Sequence, residues 1–320
     1  MKNVLTDALS GVKSVAVGGH IRPDGDCVGS CMGLLNYLSD NYKNISVDLY
    51  LEPIPKAYKY VGHTEQIISD SSKDKVYDLF IALDCGDRER LGQFEKYFDM
   101  AAKTLCIDHH ISNQAFADMN EIRPEASSTA EILFDLMEPE KINIDTANCL
   151  YMGIICDTGC FKHSNTSEHT MAAAGKLLSK GVNQAEMMDK VFYEKTFMQN
   201  QLLGRCLLNS YLTLDHKCIV CVASAQLLNE FGAVSSDLEG VIDQLRITKG
   251  VEVAVLITEN NEGGCKISMR SCAYADVAAV AQHFGGGGHV RAAGASCSQC
   301  AADILDELLA KIKEQLTSDD

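Results

Sequence analysis

Long apolar runs are missing from this 320-residue chain. Its opening stretch, MKNVLTDALSGVKSVAVGGH, sets a charge into every short apolar segment. Neither a signal-peptide core nor a bilayer span is therefore expected, and the location expected is cytoplasmic, with no membrane partner. Positive charge is also scarce, since 28 Lys and Arg face 44 Asp and Glu and leave a net charge of −16. That deficit excludes a nonspecific binder of long duplex nucleic acid, which needs a basic surface. A small anionic substrate is not excluded, because buried divalent cations can supply positive charge locally. Internal repeats and low-complexity segments are absent as well.

Cysteine, by contrast, is plentiful, with 14 residues. Spread over a large chain with no export signal, they read as reduced and mostly buried thiols rather than a disulfide framework. Two CxxC spacings occur, Cys218 to Cys221 and Cys297 to Cys300. The first lies in HKCIVCVAS, which has the pattern of a strand, where residues three apart face opposite sides of the sheet. Four convergent zinc ligands are not expected from such an arrangement.

The hydrophobic fraction of 46% and the length allow one large or two medium domains with substantial cores. From residue 12 to about 110, short apolar strands alternate with helical segments. VKSVAVGGH, ISVDLYL, DLFIALDCG and TLCIDHH read as buried strands of a parallel sheet, and VGSCMGLLNYLSD has helical apolar spacing. A helix is predicted from SSTAEILFDLM, where Ser128 and Glu131 have capping-box spacing, followed by helices in NIDTANCLYMGIICDTG and TSEHTMAAAGKLLSKG. The expected organisation is α/β throughout: an N-terminal parallel-sheet domain over 1–185, a helical linker over 186–209, and a smaller α/β domain over 210–320.

The acids and histidines gather at the ends of these strands. HIRPDGDCVGS places His20, Asp24 and Asp26 after the first strand; Asp84 follows FIAL; Asp108, His109 and His110 close TLCI; Asp157 ends GIIC. Loops after the carboxyl ends of parallel strands converge on one crevice, so these scattered groups can meet. Five carboxylates and three imidazoles in one crevice repel or protonate one another unless cations lie between them. Mixed carboxylate and imidazole donors suit a pair of divalent ions such as Mn²⁺, and two such ions about 3.5–4 Å apart form the usual clamp for displacement at phosphorus.

In the second half, CKISMRS and GGGGHVRAAG stand out. Successive glycines let backbone N–H groups approach an anion closely.

HIRPDGDCVGS, DCGD at 84–87, DHH at 108–110 and DTGCFKHSNT at 157–166 resemble the four motifs of the DHH phosphoesterase family. KISMRS and GGGGHVRAAG resemble the associated DHHA1 substrate-binding domain. Within the family, the chain is similar to the stand-alone NrnA-type members, which act on very short RNA oligonucleotides and on 3'-phosphoadenosine 5'-phosphate. The resemblance implies two metal positions. One takes His20, Asp24 and Asp84; the other takes Asp26, Asp84, His109 and Asp157, with Asp84 as the bridge. It further implies that Asp108 orients a histidine, that His110 contacts the scissile phosphate, and that a hydroxide shared by the two ions attacks in line. In the DHHA1-like part, His289 with Gly286, Gly287 and Gly288 would hold the distal phosphate or terminal nucleotide, and Arg270 with Ser271 would clamp it. Arg291 is equally placed for a surface salt bridge. A metal-carrying domain joined to a distal anion pocket would favour short substrates. Alternatives within the resemblance are a phosphodiesterase for cyclic di-AMP or pApA and, from another class, a silent nucleotide sensor; a homodimer stays open.

Overall fold

The computed structural model describes residues 3–317 and falls into two compact units, the first ending at Glu194 and the second beginning at Lys195. In the first unit six strands lie parallel in one sheet: β1 (Ser14–Gly18), β2 (Ser46–Tyr50), β3 (Ile67–Ile68), β4 (Leu79–Leu83), β5 (Thr104–Asp108) and β6 (Met119–Ile122). Their order is β3-β2-β1-β4-β5-β6. Every residue of β4 and β5 is buried, as expected for strands covered on both faces.

The helices of this unit are α1 (Val4–Ala8), α2 (Gly25–Asn41), α3 (Glu95–Met100), α4 (Thr129–Leu136), α5 (Ile144–Asp157), α6 (Glu168–Leu178) and α7 (Gln184–Met188). One face of the sheet packs with α2, α4 and α5 in a core that includes Met32, Leu34, Leu133, Leu150 and Ile154. The other carries an aromatic cluster of Tyr50, Tyr77, Phe80, Phe94 and Tyr97. α2 and α5 nearly touch at Gly29, where a Cβ would fall 2.5 Å from the Cys149 carbonyl oxygen and 2.7 Å from the Gly153 nitrogen. Glycine at that crossing lets the backbones approach and brings the start of α2 to the end of α5.

Capping follows the sequence at α4, where Ser128 Oγ accepts the Glu131 N–H at 3.1 Å. The Glu131 carboxylate does not return to the cap. It accepts hydrogen bonds from the Ser127 hydroxyl and the Thr170 hydroxyl, which ties α6 to the start of α4.

The second unit contains α8 (Phe197–Asn209), β7 (Tyr211–Thr213), β8 (Cys218–Ala223), α9 (Ala225–Phe231), α10 (Val241–Arg246), β9 (Val253–Glu259), β10 (Cys265–Ser271), α11 (Val277–His283), β11 (Gly287–His289), β12 (Ala292–Cys297) and α12 (Ala301–Leu316). Its sheet order is β11-β12-β10-β9-β8-β7, with β8 and β9 parallel and the other pairs antiparallel. Val253, Val255, Ile267 and Met269 face a core shared with α11 and α12. Ala254, Leu256 and Ile219 face a second one with α8, α9 and α10. Cys218 belongs to the first core and Cys221 to the second, as the strand reading of HKCIVCVAS requires.

The class is α/β in both units, with a parallel sheet first and a smaller mixed sheet after it. The stretch 186–209 is not one helix: α7 passes into a π-helical turn at Asp189–Tyr193, the backbone is extended at Glu194 and Thr196, and α8 starts anew. No helix among the described residues is long and apolar enough to cross a membrane.

Candidate active site

The strand order of the first sheet reverses between β1 and β4, so their connections leave in opposite directions and open a crevice beyond their carboxyl ends. His20 follows β1, Asp84 follows β4, and Asp108, His109 and His110 close β5. Asp24 caps α2, accepting the N–H groups of Asp26 and Cys27 on Oδ1, both at 3.1 Å. Asp157 is the last residue of α5. Asp26 lies in the first turn of α2, and with it all eight groups meet here.

Asp84 sits at the centre. It is 1% exposed and adopts a left-handed backbone with φ of +58°, an uncommon state for a residue with a side chain. Its N–H is held by the Ile107 carbonyl at 3.1 Å. The two carboxylate oxygens look in different directions. Oδ2 lies 3.5 Å from His20 Nε2, whereas Oδ1 lies 3.6 Å from His109 Nε2 and accepts the Thr129 hydroxyl at 3.2 Å.

Around it each partner is fixed. His20 Nδ1 donates to the Ile21 carbonyl at 2.8 Å, which leaves Nε2 as the nitrogen facing Asp24 and Asp84. Asp26 is fully buried, and its oxygens accept the N–H groups of Thr129 at 2.7 Å and Ala130 at 3.0 Å at the start of α4. His109 Nε2 lies 3.2 Å from Asp157 Oδ2. His110 Nδ1 bonds Asp108 Oδ1 at 2.7 Å, and the other Asp108 oxygen accepts Asn113 Nδ2 at 2.7 Å.

These contacts set the charges. Burial, and then the neighbouring charges of Asp84, Asp157 and Asp24, hold the Asp26 carboxyl well above its ordinary pKa. Burial also pushes Asp157 up to about 6, against the pull of His109. Burial works against a charged His20, but the facing carboxylates of Asp24 and Asp84 win and raise its pKa. Asp108 is held low despite burial by its bonds to His110 and Asn113, and the bond to Asp108 raises His110. Two of these acids, Asp26 and Asp157, are thus driven toward their protonated forms, while Asp24, facing His20, and Asp108, bonded to His110, are held low.

In the second unit, cross-strand register sorts the expected substrate residues. His289 pairs with Ala292, and Ala292 with Arg270, so Arg270 and His289 share one face of the sheet. Ser271 alternates to the opposite face, where it is buried with its hydroxyl toward the Val290 carbonyl at 3.4 Å. Gly287 and Gly288 lie on β11, with Gly286 just before it. A Cβ on Gly286 would come within 2.1 Å of the Gly294 carbonyl oxygen, and Gly288 has φ of +146°. These two glycines let β11 lie close against β12. Arg291 donates to the Ala275 carbonyl at 3.0 Å.

Residues 14–154 match the DHH family, N-terminal domain, and residues 216–318 match the DHHA1 domain. The chain is a DHH–DHHA1 protein. It is 27% identical to the bifunctional oligoribonuclease and PAP phosphatase NrnA of Thermus thermophilus, over 98% of this chain and 94% of that protein. It is 26% identical to the cyclic-di-AMP phosphodiesterase PdeA of Listeria monocytogenes, over 99% of this chain but 49% of that one. The fold is shared with the crystal structure of an exopolyphosphatase-related protein from Bacteroides fragilis, with a TM-score of 0.86 at 23% identity over 98% of this chain and 96% of the other.

Three residues of the DHH domain that touch this site escaped the sequence reading. Thr129 reaches both Asp26 and Asp84, Asn113 holds Asp108, and Asn165 Nδ2 donates to the Ser127 carbonyl at 3.0 Å and the Asp157 carbonyl at 3.3 Å. The available signal was the helix start at SST, since helix N-termini attract carboxylates. His163 packs against Gly159, and its Nδ1 lies 3.2 Å from the Asp157 carbonyl oxygen.

Proposed function

We propose that this DHH–DHHA1 protein is a phosphoesterase that holds two divalent cations, Mn²⁺ by preference. It hydrolyses short oligoribonucleotides to nucleoside monophosphates and 3'-phosphoadenosine 5'-phosphate to AMP. The observation that carries the reading is Asp84, whose two oxygens face two separate donor groups, His20 with Asp24 on one side and His109 with Asp157 on the other. A carboxylate shared by two cations needs this disposition.

The donors fit such ions. His20 Nε2 is 3.6 Å from Asp24 and 3.5 Å from Asp84, too far for strong hydrogen bonds and near enough to share one ion. Buried carboxylates pushed toward protonation gain most from a cation. In this reading His20, Asp24 and Asp84 hold the first cation, and Asp26, Asp84, His109 and Asp157 the second. When bound, the cations supply a lowered water pKa and offset the charge of the phosphoryl oxygens.

The remaining side chains position and protonate. The α4 amides fix Asp26, and the Thr129 hydroxyl fixes Asp84. Asp108 keeps the Nδ1 proton of His110 in place, so the opposite ring nitrogen can carry a proton to a phosphoryl oxygen where negative charge builds. In the DHHA1 domain Arg270 and His289, with the backbone of Gly286, Gly287 and Gly288, take the distal phosphate or terminal nucleotide. Ser271 contributes by anchoring the end of β10.

A second reading, cleavage of cyclic di-AMP or its linear product, is supported by the likeness to the Listeria protein. Product analysis decides between them. The Mn²⁺-loaded protein is incubated separately with a dinucleotide RNA, a long RNA, 3'-phosphoadenosine 5'-phosphate and cyclic di-AMP. Fast cleavage of the dinucleotide and the bisphosphate is expected. Preference for cyclic di-AMP would favour the second reading, and binding without any cleavage would leave a nucleotide sensor.

A further inference from the structure

Cys27 follows Asp26 directly, and α2 turns its thiol into the interior, where the residue is fully buried. The sulfur lies against the backbone of Gly19, where an added Cβ would fall 2.3 Å from it. It is 4.0 Å from the His20 carbonyl oxygen, a weak partner for a thiol. A ring nitrogen of His20, Sγ of Cys27 and a carboxylate oxygen of Asp84 lie within 4.8 Å of one another, and all three residues are buried. Two bonds of 2.0–2.3 Å meeting on one ion span at most about 4.6 Å, so a small side-chain adjustment lets all three reach a common centre.

We infer that Cys27 is a latent ligand for a thiophilic divalent cation, Zn²⁺ or Cd²⁺, at the His20–Asp84 position, in the place that Asp24 takes for a hard one. The inference rests on the reading that His20 and Asp84 hold a cation. Sulfur favours soft ions, whereas Mn²⁺ and Mg²⁺ favour oxygen and imidazole donors. A hard cation therefore leaves the thiol protonated. A soft one recruits it: the S–H bond breaks, sulfur keeps the electron pair and donates it to the cation, and the proton passes to bulk water. One nitrogen, one sulfur and one oxygen then make up three corners of a tetrahedron, the donor number of an open zinc site. The position thus takes a different ligand set according to the softness of its cation.

The test uses the full-length, reduced, cation-free protein titrated with Cd²⁺ while the near-ultraviolet sulfur-to-cadmium charge-transfer band is recorded. Wild type, Cys27→Ala, Cys31→Ala and Asp84→Asn are compared, and Mn²⁺ binding to wild type is followed by electron paramagnetic resonance. Cys31→Ala serves as the control for the neighbouring thiol. A tight component of the band is expected in wild type and in Cys31→Ala. It should vanish in Cys27→Ala and Asp84→Asn, with Cd²⁺ affinity weakened about tenfold or more. Cys27→Ser, which keeps the side-chain length, replaces the alanine variant if that variant aggregates. Because the chain has 14 cysteines, a band that survives unchanged in Cys27→Ala would assign the sulfur elsewhere and overturn the inference. Loss in Cys31→Ala, or persistence in Asp84→Asn, would do the same. If wild type binds Mn²⁺ yet shows no Cys27-dependent band, the inference falls and the proposed function stands; if it binds no Mn²⁺, the reading beneath both falls.

Discussion

In the DHH domain Asp26 is fully buried with a backbone N–H on each oxygen, and His20, Asp108 and Asp84 are each held by a named partner. In the DHHA1 domain His289 stands exposed on a three-residue strand, and Arg270 Nη1 donates to the carbonyl of the adjacent Met269 at 3.0 Å. The first set has its geometry fixed before anything binds. The second, which we propose takes the distal end of the substrate, would let its side chains follow what they bind. Rigid donors suit chemistry at one phosphorus atom, while adaptable ones suit the varied distal ends of short nucleotides. Substitutions in the two domains should accordingly differ in kind, the first lowering kcat and the second raising KM.

The sharpest way to break that contrast is at Asp84. Asp84→Asn keeps a residue that tolerates the left-handed backbone but removes the shared charge, and turnover on every substrate should fall by several orders of magnitude with the fold intact by circular dichroism. Activity close to wild type would refute the shared-ligand assignment. A smaller loss is expected at Thr129→Val, which preserves shape but deletes the hydroxyl on Asp84. Mn²⁺ affinity measured by calorimetry should drop about 10–100-fold, as for other groups that orient metal ligands.

Arg270→Ala probes the other side of the comparison. KM for substrates bearing a distal phosphate should rise about tenfold or more, the equivalent of one charge-assisted hydrogen bond, with kcat little changed. An equal loss on a minimal chromogenic phosphodiester would place Arg270 at the reacting centre instead.

The mildest test is titration. Asp157 moves from the ordinary 3.8 to about 6, so in the cation-free protein the folded state binds more protons than the unfolded one across that window. Stability of the cation-free protein should therefore fall as pH rises from about 4 to about 6, and Mn²⁺ binding should release protons there, its affinity rising with pH up to about tenfold per unit. Calorimetry in two buffers of different ionisation enthalpy measures the release, and none at pH 5 would show that Asp157 is already ionised.

Much of the DHH site was legible because a parallel sheet delivers its strand ends to one place. FIAL followed by Asp84 and TLCI followed by Asp108 could be read from apolar runs alone. Thr129 could not, since it acts on Asp84 and Asp26, 45 and 103 positions away, through tertiary contact. β6 also escaped, because MNEI is half-buried and lacks an apolar run. The stretch 186–209, free of Gly and Pro until Gly204, reads as helical linker material; it is helical on either side of an extended break at Glu194 and Thr196. The four glycines pointed to close approach of backbone amides to an anion; their pairing with β12, which draws Gly287 and Gly288 into a strand, was not legible in them. The face taken by Ser271 follows from strand alternation beside Arg270 and needed no structure to foresee.

Both donors to Asp26 are main-chain amides at the first two positions of α4, so changing the side chains there leaves them in place. A mutational screen at Ala130 would therefore report on the packing of its fully buried side chain and miss the amide that grips one of the most deeply buried acids in the molecule. Removing a donor takes a change in the backbone itself: an ester in place of the amide, or proline at Thr129, where the first turn of a helix accepts it. Against ordinary point mutation, the grip on that carboxylate lasts as long as the helix begins at the same residue.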